Sequence, residues 1–213
     1  MTDDRMQAAA SGFDPALRSG HPALEFTNTV NDHAGAAPGE TLFEYGQLLS
    51  WGNRVGLLTP DRVRALTRAA ARRPTEAAQV FSRALGLREA LYRIFVAQAT
   101  RRPPARSDLA VLNRTLASVM EGARIAPDAR GFNWNWNLRD TALDLPLRVL
   151  ALSAVDLLTS RDIRRVGQCA DEAGCGWLFV DTSKNHSRRW CDINDCGNRA
   201  KQRRYQARRR KAK

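Results

Sequence analysis

The sequence predicts a mainly α fold: a helical N-terminal domain holding one small β-hairpin, followed by a compact C-terminal module that ends in a basic helix. Three observations carry this reading. Apolar residues recur at helical spacing over most of residues 40–160. One stretch, Phe132-Asn-Trp-Asn-Trp-Asn-Leu138, alternates strictly and has the period of a strand with one face buried. All four cysteines fall in the last fifty residues.

A length of 213 residues with 43% hydrophobic content suffices for one large or two modest domains. Residues 1–18 are Ala-rich and unpatterned and are expected to be disordered. Residues 19–162 read as the helical domain and residues 163–213 as the cysteine-bearing module.

In chain order, Gly20 to Val30 alternates around Leu24 and Phe26, which predicts a short strand or extended segment, and Asn31 to Gly35 is turn-rich. Glu40 to Val55 carries Leu42, Phe43, Leu48, Leu49 and Trp51 at helical spacing, with Gly56 as the stop. Thr59-Pro60-Asp61 combines a hydroxyl cap, a first-turn proline and an early acid, so a helix should run to about Arg72. Thr75 caps a long helix through Ala99, whose core face holds Val80, Phe81, Leu85, Leu87, Leu91 and Ile94. Ser107-Asp108 opens the next helix, with Leu109, Leu112, Leu116 and Met120. Ala123 to Ala126 and the Trp-Asn alternation form a hairpin through Pro127–Gly131. Leu143 to Thr159 is apolar enough to be the central buried helix, and Pro146 is tolerable there because it lies in the first turn.

The cysteines form two pairs, Cys169-x5-Cys175 and Cys191-x4-Cys196, separated by fifteen residues. Two tight loops, each supplying two thiolates, are the pattern of a tetrahedral four-cysteine zinc site. The alternatives are two disulfides or four buried thiols. The opening Met-Thr-Asp-Asp-Arg is acidic and polar where a signal peptide would be basic then apolar. No run of about eighteen apolar residues offers a membrane span. Both favour a cytoplasmic protein, where paired cysteines stay reduced and hold metal. Trp177 to Val180 reads as a short strand, and Asp195 as the cap of a helix starting at Cys196. Knuckle, hairpin and a helix bearing the last ligand make a treble-clef-like zinc finger that depends on its one structural Zn2+ for stability.

Residues 182–213 contain twelve Lys or Arg against two Asp, so nearly all of the chain's net +12 sits at this end. A dense positive patch beside a compact metal site is the footprint of nucleic-acid binding. Between Gly197 and Lys211 only Ala200, Tyr205 and Ala207 are apolar, so a helix there has no stripe to bury; phosphates could supply the missing stabilisation. The bland alternative is a solubilising tail. On a helical wheel Arg199, Gln202, Arg203 and Gln206 share one face and suit base edges. Lys201, Arg204, Arg208 and Arg209 suit phosphate, with Arg188 and Arg189 adding to the basic surface.

The run Arg188-Arg-Trp-Cys-Asp-Ile-Asn-Asp-Cys-Gly-Asn-Arg-Ala-Lys201, with Cys-Gly-Trp-Leu-Phe-Val-Asp-Thr-Ser183 upstream, resembles the CGNR zinc-finger family, whose name Cys196-Gly197-Asn198-Arg199 spells. The front half, with Gly-His-Pro-Ala-Leu-Glu-Phe-Thr-Asn-Thr-Val30, resembles the ABATE domain that accompanies this finger in bacteria. The resemblance implies Cys169, Cys175, Cys191 and Cys196 as zinc ligands, and a stress-linked bacterial transcription regulator.

The leading expectation is therefore a regulator that binds double-stranded DNA, with the helical domain sensing a ligand or pairing subunits as a homodimer. The alternative is an RNA-binding or ribosome-associated zinc protein, in which Trp190 or Tyr205 stacks on an unpaired base. An enzyme is not expected. His186 is the only histidine in the finger and has no second histidine near it to complete a nuclease site. Gly-rich phosphate loops, nucleophile elbows and paired carboxylates are missing from the sequence. A small-molecule effector would meet His21, Asn28, Thr29 and His33, with Trp134 and Trp136 lining the cavity. The bland reading makes Asn28 and Thr29 turn formers and the tryptophans core.

Overall fold

The computed structural model describes residues 17–128, 131–135, 142–171 and 173–211. Most of the segment expected to be disordered lies outside them; its last two residues do not, and Leu17 packs on the core. The helices are α1 Pro22–Thr27, α2 Tyr45–Arg54, α3 Pro60–Arg72, α4 Pro74–Ala99, α5 Arg106–Gly122, α6 Leu145–Thr159 and α7 Asn198–Lys211. Three two-stranded antiparallel sheets accompany them: β1 Val30–Asn31 with β2 Gly39–Glu40, β3 Arg124–Asp128 with β4 Gly131–Asn135, and β5 Val166–Gln168 with β6 Leu178–Val180. The mainly helical class is as expected. No helix among the described residues is long and apolar enough to cross a membrane.

Local signals explain most boundaries. The Thr59 hydroxyl accepts from the Arg62 N–H and Pro60 opens α3. Gly56 ends the preceding segment with φ +78°, a conformation that costs glycine nothing. Along α4 the buried residues Val80, Ala84, Leu87, Leu91, Ile94 and Phe95 repeat every three or four positions and make one face. α6 is buried on most sides, from Leu145 and Leu147 through Leu150, Ala154 and Leu157, and is the central helix.

Four expectations need correction, one of them minor: Thr75 does not cap α4, which opens at Pro74 after Arg73 with no side-chain cap bond. Gly20–Val30 is not extended: Pro22–Thr27 is α1, capped by the His21 ring, whose Nδ1 accepts from the Ala23 N–H at 3.2 Å. Six residues are too few for period two and period 3.6 to separate, and the cap and Pro22 were the better signals. The helix expected from Glu40 starts at Tyr45, because Glu40 lies in β2 and its carboxylate pairs with the buried Arg88 at 2.6 Å. The cap before α7 is Asp192 rather than Asp195. Its Oδ1 accepts from the Asn194 N–H at 2.8 Å and opens a π turn, Ile193–Gly197, that precedes α7.

The hairpin forms as expected, with Trp134 opposite Ile125. Its apolar face is more open than the alternation implied, for Phe132 is 80% exposed and Ile125 58%. Trp136 lies outside the described residues. The hydrophobic core crosses the expected boundary at 162/163: Val166, Leu178 and Val180 belong to the same buried cluster as Leu24, Leu91 and Leu150. The β5–β6 hairpin is thus seated in the helical body.

Candidate metal centre and nucleic-acid interface

The loop between β5 and β6 carries Cys169 and Cys175; the turn before α7 carries Cys191 and Cys196. All four are buried and free of disulfides. Their sulfur atoms lie within 4.8 Å of one another, with Cys175–Cys191 and Cys191–Cys196 at 3.6 Å. A tetrahedron with Zn–S bonds of about 2.3 Å has edges of about 3.8 Å, so the cluster fits one zinc ion. Packed this closely, the thiols couple. Hydrogen bonds from Cys175 and Cys191 hold Cys169 far below the ordinary thiol value, and the same bonds push Cys175 and Cys191 up. Burial raises Cys196. A divalent cation is what lets all four ionise together. Phe179, Trp177 and Trp190 wrap the cluster, so Trp190 takes the packing role.

Beside the sulfurs sits Asp171, whose side chain is fully buried. Arg203 donates to its Oδ1, and Arg199 lies 3.3 Å from its Oδ2. The Arg199 guanidinium also donates to Cys196 Sγ at 2.9 Å, which raises its pKa further, and lies 3.4 Å from Asp195. Two arginines of the face expected to read bases are therefore turned onto the metal centre. They supply positive charge to the thiolates and fasten α7 to the knuckle. Asp171 gave no signal in the sequence beyond lying between the first two ligands.

The other basic residues divide in two. Arg188 is structural: its guanidinium donates to the carbonyls of Trp190, Val180, Arg18 and Cys191 and lies 4.3 Å over the Phe179 ring. Arg189 lies against the Trp190 ring at 5.2 Å. Lys201, Gln202, Arg204, Gln206, Arg208 and Arg209 are exposed, and no acid pairs with the cations among them within the described residues. Arg209 lies 5.8 Å over the ring of Tyr205, itself 62% exposed.

The polar cluster expected to meet an effector is consumed by the fold. Asn28 binds the β6 backbone with both ends of its amide: Nδ2 donates to the Leu178 carbonyl and Oδ1 accepts from the Leu178 N–H, each at 2.8 Å. The Thr29 hydroxyl donates to the Phe26 carbonyl and receives Arg88. His21 caps α1, with its Nε2 3.7 Å from Asp156. His33 stacks on Tyr92 at 3.6 Å and meets Glu89 at 3.0 Å. Of these side chains Asn28 holds the finger on the helical body, while His21, Thr29 and His33 bond within that body. The backbone N–H groups of His33 and Ala34 donate to the carbonyls of Cys175 and Gly174, each at 3.0 Å, and Trp177 Nε1 donates to the Val30 carbonyl. A Cβ on Gly174 would stand 2.4 Å from Gly35 Cα, and one on Gly176 2.5 Å from Ala34 Cβ. Only glycines allow the two loops this close.

Two family models match the chain in succession. ABATE, described as a putative stress-induced transcription regulator, covers residues 20–161, and the CGNR zinc finger covers residues 165–209. No curated protein matches it.

Proposed function

Because the chain belongs to the ABATE family and ends in a CGNR zinc finger, we propose that it is a non-catalytic transcription regulator that binds double-stranded DNA in the cytoplasm through the outward face of α7. The observation that carries this is the division of labour on that helix. Arg199 and Arg203 are spent on Asp171 and the metal centre. Lys201, Arg204 and Arg208 fall together on the opposite side of the wheel, exposed and without acid partners among the described residues. A helix polar on every side gains little from packing, so a polyanion is its natural stabiliser. In this reading Arg204, a residue first assigned to phosphate, is better placed for base edges than Arg199. The zinc ion, held by Cys169, Cys175, Cys191 and Cys196, fixes the base of the helix.

Titration of a duplex at rising salt tests the proposal. Replacing Lys201, Arg204 and Arg208 by Gln removes the phosphate contacts of Lys201 and Arg208 along with the Arg204 base contact, and the two phosphates alone should flatten the slope of log K against log salt by about 1.8. Failure of the unaltered protein to bind duplex at low salt overturns it. A second reading, RNA binding, is favoured by exposed Tyr205 on the basic helix. Competition by a structured RNA that is lost in Tyr205→Ala would support it over DNA.

The effector site moves with the same reading. A cleft of about 430 Å3 between α4, α5 and α6 is lined by Arg83, Gly86, Arg114, Thr115 and the paired Asp144 and Arg148, so its cations outnumber its one acid. A Cβ at Gly86 would touch nothing, so packing does not explain a glycine in mid-helix, where it costs about 1 kcal/mol against alanine. Small carboxylates and phosphates are the ligands this lining suits; a thermal-shift gain abolished by Gly86→Leu is expected, and no gain from any anion excludes the cleft. A homodimer through the helical half would show in sedimentation.

A further inference from the structure

On the side of the finger formed by the β5–β6 hairpin and the Ser183–Arg188 loop, the helical body contributes to a second basic surface. A concavity of about 730 Å3 opens between the end of α4, the 3-10 turn Arg161–Arg165 and that loop. Phe179 and Gly167 line it from the hairpin; a Cβ on Gly167 would come within 2.9 Å of the Phe179 ring, so the glycine lets ring and strand lie flush. Around it stand Arg101, Arg161, Arg164, Arg165 and His186. No ion pair engages these arginines among the described residues, and Arg101, Arg161 and Arg164 are exposed. The one acid in the lining, Asp181, is already occupied: its two oxygens accept from the backbone N–H groups of Ser183 and Arg188.

Backbone conformation marks the same place. Among the described residues three non-glycine residues have left-handed φ, and two of them line this concavity, Arg101 at +55° and His186 at +49°. Such positions are sparsely populated and persist where the surroundings enforce them, and they concentrate at functional sites. Repulsion among four arginines is a standing cost that an anion spanning them would relieve.

We propose that this groove, shared by the helical body and the finger, is a second contact for the phosphate backbone of the duplex that α7 engages. It rests on the DNA-binding reading and adds that the helical body touches the nucleic acid directly. Arg188, which lines the groove and whose guanidinium reaches the Val180 carbonyl behind it and the Cys191 carbonyl at the metal centre, ties the two surfaces together. The groove supplies backbone contacts, which position without reading sequence.

The test compares two variants of the full zinc-loaded chain by duplex anisotropy between about 50 and 200 mM salt. Arg101→Gln/Arg161→Gln/Arg164→Gln removes groove cations; Lys201→Gln/Arg204→Gln/Arg208→Gln removes those of α7. Loss of three phosphate contacts changes the slope by about 2.7, so the advantage of the unaltered protein over the groove variant should shrink about 40-fold across that range. Unchanged melting temperature and zinc content exclude misfolding as the cause. An unchanged slope in the groove variant, with a reduced one in the α7 variant, overturns the groove and leaves the DNA reading standing. Absence of duplex binding by the unaltered protein overturns both. Competition by inorganic phosphate with no effect on slope marks a free-anion site and overturns the proposal as well.

Discussion

Asn28→Ala should loosen the finger from the helical body about as much as a large-to-small change in the apolar core between them. The amide of Asn28 satisfies both the N–H and the carbonyl of Leu178, each at 2.8 Å, in surroundings where Asn28 is 6% exposed and Leu178 is fully buried. Truncation to alanine leaves a donor and an acceptor buried without partners. Each costs roughly 1–3 kcal/mol, so the pair costs about 2–6 kcal/mol. For a chain of this size one kcal/mol moves the melting temperature by about 2–4 °C, which predicts a drop of about 5–20 °C. Thermal unfolding by circular dichroism reads the shift. Asn28→Asp keeps the acceptor and loses the donor, and its drop should not vanish. A fall of less than about 2 °C for Asn28→Ala would refute the reasoning, since no buried orphan costs so little.

Three further outcomes follow from the same structure. Gly176→Ala forces a side chain onto a residue at φ +66° and within 2.7 Å of the Ala34 backbone nitrogen; destabilisation of about 1–3 kcal/mol from backbone strain alone, with faster zinc loss to a chelator, is expected in calorimetry and a metal-release assay. Cys191→Ser should abolish stoichiometric zinc in elemental analysis and lower the far-UV helical signal by about the length of α7, because the finger's order depends on metal. Burial holds His21 below its ordinary value of 6.5, against the pull of Asp156. The unfolded chain thus takes up that proton first as pH falls, so the stability involved is whole above pH 6.5 and erodes below it. For Glu40 burial opposes ionisation, but the hydrogen bonds from Arg88, Leu42 and Thr41 and the Arg88 charge together outweigh it and hold the carboxyl below its ordinary 4.5; for Glu89 the His33 hydrogen bond is the main cause of the same shift, and both contributions are lost as pH drops through that region. His21→Asn keeps a cap for α1 and should flatten the loss of melting temperature between about pH 6.5 and 5.

The parts of this fold legible in the sequence are those in which one local rule acts alone. Thr59-Pro60 marks α3 without tertiary help, the Phe132–Asn135 alternation marks β4, and four cysteines in two pairs mark the metal centre because thiolates at that spacing have few other uses. α1 was hidden because six residues carry almost no periodicity. The extent of α2 was misjudged because Glu40 and Leu42 fit a helix locally, whereas Glu40 is drawn into β2 and onto Arg88, 48 positions away. A still longer separation in sequence concealed the role of Asn28, whose partner lies 150 residues on. A polar cluster looks alike in sequence whether it binds a ligand or another part of the chain. The helical wheel of α7 grouped Arg199 with Arg203 correctly, but it could not show which side of the helix meets Asp171, and that side decides which arginines are left facing solvent.

The close seating of Gly35 against Gly174 has a mechanical consequence. The loop after β1 grips the very residues from which Cys175 reaches the metal, so the mount of α7 belongs to the front half as much as to the finger. The fourteen residues of α7 extend about 21 Å. A tilt of about 10° at that mount would swing the free tip by about 3.7 Å, close to the rise of one base pair, roughly 3.4 Å. In the DNA-binding reading proposed above, a small shift at the glycine–glycine contact would thereby become a displacement of about one base-pair step at the tip of α7.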